Sequence, residues 1–285
     1  MASAYLVSNP DFPVKAEFAW SKFRPSQENA LWLASSPFIP DLLMLMVHSI
    51  FAVYSVVIIF MSAFDGVESP KWFIYLSNLG YLSVMLSFVG FAVIGVHRYW
   101  RKYSLVHQNY PYEELSQALG AWRWFHSIQQ IMFTIALSVS TLITLLYYTL
   151  LAPDGSFLDV SIHALNTAFC FVELCLSNFK LNILQVIYPL IAGVVYIVFT
   201  IIYALSGGTD INGNDAIYPP LDWNNKPGNA ALLSLLAAFI GVPLVHLIYF
   251  GMMKIRIAIA RRVSTTLPSG IGIDYEQVDV GTSNV

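Results

Sequence analysis

Residues Val160 to Lys180 read VSIHALNTAFCFVELCLSNFK. The stretch is long and apolar enough to cross a bilayer, yet it carries His163, Asn166 and Glu173. Ionisable groups at membrane depth are costly, so they face the bundle interior and often mark function. On a helix turning about 100° per residue, His163, Asn166, Cys170, Glu173 and Ser177 fall within an arc of roughly 80°. The spacing predicts one polar stripe, with Leu165, Phe169, Val172 and Leu176 covering much of the rest.

The whole chain has the composition of a membrane protein. Its 285 residues are 57% hydrophobic and 11% charged, where soluble domains average about a quarter charged. Mean hydropathy is +0.63. A net charge of −3 gives no reason to expect nucleic acid as a partner. Cys170 and Cys175 lie five apart on one predicted helix with diverging directions, so neither a disulfide framework nor a cysteine zinc site is expected. The first forty residues are mixed and include Lys15, Glu17, Lys22, Arg24 and Glu28. They carry no cleavable-signal pattern, and the first apolar segment is expected to act as an uncleaved signal anchor.

Six segments approach or exceed the roughly 20 residues that span hydrocarbon. They are Leu42–Phe64, Phe73–Val96, Ser127–Leu151, Ser161–Asn178, Ile183–Ser206 and Ala231–Met253. The expected fold is therefore all-α, a six-span transmembrane bundle (42–253) between an N-terminal arm (1–41) and a C-terminal tail (254–285). The arm, the 97–126 loop, Lys180 and the tail hold twelve of the fourteen Lys and Arg, leaving only Lys71 and Lys226 on the other side. By the positive-inside rule both termini are expected in the cytoplasm. The outer loops are then Asp65–Trp72, Ala152–Val160 and the Gly-, Pro- and Asn-rich Gly207–Asn229. Trp72, Tyr75, Trp122, Trp124, Tyr147 and Tyr148 lie near span ends, where aromatics anchor at the interface.

The second and fourth spans enter from the same side. Ser77, five residues past Trp72, and His163, four past Asp159, are both expected roughly 6–8 Å below the boundary. A hydroxyl and an imidazole at matched depth can act as nucleophile and general base. Asn166, one turn deeper, is placed to orient the imidazole or the substrate carbonyl. Taken singly, Ser77 reads as a small packing residue beside Gly80 and Ser87, and Asn166 as interhelical glue.

A second polar layer comprises His48, Glu173 and His246, with His126, Gln129 and Gln130 nearby. It reads as a hydrogen-bonded structural network; the alternatives are a zinc or iron site and a proton relay. No His-Glu-x-x-His spacing supports a metal, and no cofactor is expected. Asp210, Asn212 and Asn214 open a calcium-loop pattern, but Asp215 and Leu221 occupy the positions where it needs Gly and Glu. At the carboxy-terminus, Ser283 stands two positions before Val285, a pattern that suits a PDZ scaffold. Tyr275-Glu-Gln-Val278 has the form of a tyrosine sorting signal, and together these favour the plasma membrane over the endoplasmic reticulum.

Three blocks carry a family resemblance: Trp72-Phe-Ile-Tyr-Leu-Ser-Asn78, Ile162-His-Ala-Leu-Asn166, and Gly207-Gly-Thr-Asp210 with Ile217-Tyr-Pro and Leu221-Asp-Trp223. Over most of residues 40–255 the chain resembles the rolling stone group of multi-pass membrane proteins, implicated in myoblast fusion. That group is distantly similar to the androgen-induced family of membrane hydrolases, which cleave fatty-acid esters of hydroxy fatty acids with an intramembrane threonine and histidine. The resemblance places their histidine at His163 and their threonine at Ser77, where serine keeps the hydroxyl. It implies a lipid or acyl substrate. Three functions are thus carried forward: a lipid-ester hydrolase, a non-catalytic protein of cell–cell contact or fusion, and a metal- or proton-handling membrane protein.

Overall fold

The computed structural model describes residues 17–25, 30–64, 70–108, 111, 118–151 and 153–266. Six helices among them are long and apolar enough to cross a membrane: α1 (Asp41–Phe64), α2 (Leu76–His107), α3 (Trp124–Leu150), α4 (Phe157–Leu176), α5 (Ile183–Leu205) and α6 (Pro227–Val263). The fold is all-helical, a six-span bundle. Ser283, Val285 and the tyrosine signal lie outside the described residues.

Each helix turns one stripe inward. On α1 the buried side chains are Met44, His48, Ala52, Ser55 and Ile58, at the three- and four-residue spacing of one helical face. Its other faces expose Ile50, Val53 and Phe60, and α6 likewise exposes Leu232, Phe239, Ile240, Leu244 and Ile248. So much contiguous apolar surface calls for a lipid solvent.

The centre belongs to α3, which packs against α2, α4, α5 and α6. Its sequence explains why. Thr134, Ala136, Ser138 and Ser140 are small and fully buried, so neighbouring backbones can approach. Gly90 of α2 sits so close to α3 that a Cβ there would lie 1.9 Å from Gln129 Oε1. The Gln129 amide in turn donates to the Ser87 carbonyl at 2.8 Å. Phe88, Phe91, Phe133 and Phe179 form the aromatic core, with Phe91–Phe133 and Phe133–Phe179 edge-on at 4.9 and 4.8 Å.

Two helices carry a widened π turn. In α6 it covers Ala237–Gly241, just before Pro243, whose missing N–H and ring bulk an unbroken α-helix would not accommodate. In α4 it covers Ser161–Leu165 and holds His163. Past Leu176 the chain runs extended through Phe179 to Asn182 inside the bundle, and Phe179 and Leu181 are buried.

Three of the aromatics near span ends also have partners within the protein. Trp72 is buried and donates Nε1–H to Ser62 Oγ at 2.9 Å. Tyr75 accepts the Ile211 N–H. Tyr147 lies flat on the His163 ring.

Candidate functional site

The fourth helix starts at a conventional cap: Ser156 Oγ accepts the Asp159 N–H at 3.2 Å. Asp159 is itself buried, and its Oδ2 accepts the Gly155 N–H at 3.0 Å. Its Oδ1 lies 3.0 Å from His163 Nδ1, one turn on. A carboxylate only accepts, so Nδ1 is the donor and the neutral ring keeps its lone pair on Nε2. Tyr147 of α3 stacks on the imidazole, with ring centres 3.5 Å apart and 6° between planes. Outside the span, Asp154 accepts the Ser156 N–H at 2.8 Å, and this hydrogen bond holds its carboxyl below the usual range.

The π turn frees a carbonyl. Thr144 Oγ1 donates to the His163 carbonyl at 2.5 Å and lies 2.7 Å from Thr167 Oγ1. Asn166 is fully buried. Its Oδ1 accepts the Thr167 N–H at 2.6 Å, which fixes the amide with Nδ2 turned away. Nδ2 has no hydrogen-bond acceptor among the described residues. His163 and Asn166 are thus brought into one cluster, joined through Thr144.

Ser77 stands apart from that cluster in its hydrogen bonding. It is the second residue of α2, whose cap, Tyr75, offers no side-chain acceptor. Two tyrosines take that role. Tyr196 accepts the Leu76 N–H at 3.2 Å and Tyr218 the Ser77 N–H at 3.4 Å. Ser77 Oγ lies 3.5 Å from the same Tyr218 hydroxyl. Although α2 packs against the π turn of α4, no hydrogen bond joins Ser77 to His163.

Tyr218 arrives from the 207–229 loop, which is built on its own aspartates. Gly207 closes α5 at φ +74°, and Gly208 lies against the Tyr203 ring, where a Cβ would approach to 2.4 Å. Asp210 Oδ1 accepts the N–H groups of Asn212 and Asn214 at 2.9 and 2.7 Å. Lys71 donates to Thr209 Oγ1 and the Asp210 carbonyl, both at 2.8 Å. Asp222 accepts the Asn225 N–H, and Trp223 donates to Thr200 of α5 at 3.2 Å. The calcium-like opening is therefore a turn that Asp210 organises for itself.

The deeper layer divides. His48 Nε2 lies 3.1 and 3.0 Å from the two Glu173 oxygens, both side chains being fully buried, and its ring stacks on Phe91. His246 is elsewhere: its Nε2 donates to the Asn182 carbonyl at 2.9 Å. Gln130 donates to the Lys180 carbonyl, and Arg256 to those of Leu174 and Phe179. These three serve the extended segment, whose backbone would otherwise lie unpaired in an apolar interior. No group of three His, Cys, Asp or Glu side chains suited to a metal occurs among the described residues.

Sequence reasoning missed Asp159, Tyr147, Tyr218 and Arg256 as partners. Asp159 was findable, since it stands four residues before His163 on a helix. The others act across helices, and no local spacing marks them.

Six lipid-length helices and buried polar clusters in an apolar shell define an integral multi-pass membrane protein. The rolling stone family profile, described as "Protein rolling stone", matches residues 37–273, and the chain belongs to that family. The Protein rolling stone of Drosophila melanogaster is 28% identical over 211 residues, covering 71% of this chain and 74% of the fly protein. No solved structure matches.

Proposed function

We propose that the protein is a membrane-embedded lipid-ester hydrolase whose general base is His163, oriented by Asp159. The observation that carries this reading is the carboxylate 3.0 Å from His163 Nδ1. It leaves Nε2 basic, as the aspartate does in a Ser-His-Asp triad. Ser77 supplies the nucleophile. Nε2 takes the Ser77 proton as Oγ attacks the acyl carbonyl, then returns it to the departing alcohol. Water, activated by the same base, releases the fatty acid from the acyl-serine. Asn166 Nδ2, a fixed and buried donor, receives the oxyanion. For this sequence Ser77 Oγ exchanges Tyr218 for His163, so the 207–229 loop acts as a gate.

An ester-directed fluorophosphonate probe on the purified protein tests the reading. Wild type is expected to label, Ser77→Ala and His163→Ala not to label, and Asn166→Ala to turn over lipid ester about 10²–10³-fold more slowly. Equal labelling of all four proteins would end the hypothesis.

One observation favours a second reading. The Ser77 hydroxyl is engaged by Tyr218, within a loop that locks onto α2 and α5. On this reading the protein is non-catalytic and presents the loop in cell–cell contact or fusion, with Ser283 and Val285 binding a PDZ scaffold. Both termini are then cytoplasmic and the membrane is the plasma membrane. Altering Asp222 and Trp223, or removing Val285, would abolish that function while Ser77→Ala would not.

A further inference from the structure

The end of α2 opposite Ser77 bears a cavity of about 330 Å³. The helix has 32 residues, about 48 Å at 1.5 Å each, against about 30 Å of hydrocarbon. Its last turns therefore stand beyond the apolar layer. On this overhang Arg98, Tyr99, Lys102, Tyr103 and His107 recur at three- and four-residue spacing and line one wall of the cavity. Leu42 and Leu45 of α1, with Val106, form its apolar side.

The charge of the cavity is one-sided. Among the described residues that line it, Asp41 is the single carboxylate, and it forms an ion pair with Arg98. Among these, that leaves Lys102 to set the sign. Tyr103 meets the His107 ring edge-on at 4.2 Å, which holds a phenol and an imidazole at one rim. An adjoining cleft is lined by Arg98, Arg101 and Arg123, with no acidic residue among its described lining residues. A cationic rim over an aliphatic floor, at the height where a span leaves the membrane, matches a lipid with an anionic head.

We propose that this cavity binds one anionic phospholipid. Its phosphate lies against Lys102, His107 and the Tyr103 hydroxyl, and the start of an acyl chain lies along Leu42 and Leu45. The proposal is independent of whether Ser77 and His163 perform hydrolysis.

The full-length protein in detergent, incubated with phosphatidylserine or phosphatidylcholine, gives the test by native mass spectrometry of retained lipid. Phosphatidylserine should be retained at least fivefold over phosphatidylcholine. The double variant Lys102→Gln/His107→Gln should lose about fivefold or more, the effect of one basic residue at an anionic surface. Leu42→Trp, which fills the cavity without altering charge, should lose as much, and Lys226→Gln at the other membrane face should lose nothing. Should Leu42→Trp fail to fold, Val106→Trp fills the same space from α2. Equal retention of the two lipids overturns the proposal. So does loss in the charge variant with none in the filled-cavity variant, because that is diffuse attraction and not a site. Equal thermal stabilisation by inorganic phosphate alone overturns it too, since the acyl contact would then contribute nothing.

Discussion

Glu173 and His48 illustrate how ionisable side chains are accommodated at membrane depth. Each is fully buried, and the carboxylate reaches Nε2 with both oxygens. Removing one partner strands the other in a medium that cannot hydrate it, which costs about 3–5 kcal/mol for buried pairs. His48→Ala and Glu173→Ala are each expected to lower the unfolding midpoint in detergent sharply. His48→Phe/Glu173→Leu, an apolar replacement of similar volume, should unfold closer to wild type than either single variant. If the double variant is instead the least stable, the pair contributes net attraction beyond mutual compensation. His246 reached the same layer in the sequence reading, but its role differs: it answers one carbonyl, that of Asn182.

Among the elements, the contact of α2 with α3 rests on a missing side chain. Gly90→Val would drive Gln129 off the Ser87 carbonyl, and overpacking of this kind costs about 1–3 kcal/mol. Thermal unfolding of Gly90→Val beside Gly193→Val makes the comparison, since Gly193 faces open space; equal stability of the two would refute close packing. The 207–229 loop gives a pH prediction. Burial raises the pKa of Asp210, but hydrogen bonds from Asn214 and Asn212 outweigh it and hold the carboxyl below 3.8. The Asn225 N–H holds Asp222 below 3.8 as well. A depressed folded pKa gives stability that is complete above the unfolded value and fades as pH falls through the folded one. Amide exchange in the loop should therefore be pH-corrected flat above about pH 5 and accelerate below 3.8. Asp210→Asn should show the fast loop at every pH, and a loop as protected in that variant as in wild type would show that the aspartate does not organise it.

For the whole molecule, six crossings are expected to place both termini on one side. Epitope tags at residues 1 and 285 should become accessible together, and only after the cell membrane is permeabilised; one tag reacting on intact cells would leave an odd number of crossings. The bundle itself was legible in the chain, because apolar length and one buried stripe per helix follow from local sequence and a helical period. So was the stripe on α4, since His163, Asn166 and Glu173 recur on one face. The pairing of Glu173 with His48 was legible too, because both fall in one polar layer. Other partners were not: Tyr147 reaches His163 from α3, Tyr218 reaches Ser77 from the 207–229 loop, and Arg256 reaches the Leu174 and Phe179 carbonyls from α6. The irregular run from Ser177 to Asn182 was invisible for the same reason, as its backbone is satisfied only by side chains far along the sequence. Local chemistry dictates which residues leave the lipid; packing across helices dictates most of what they meet there.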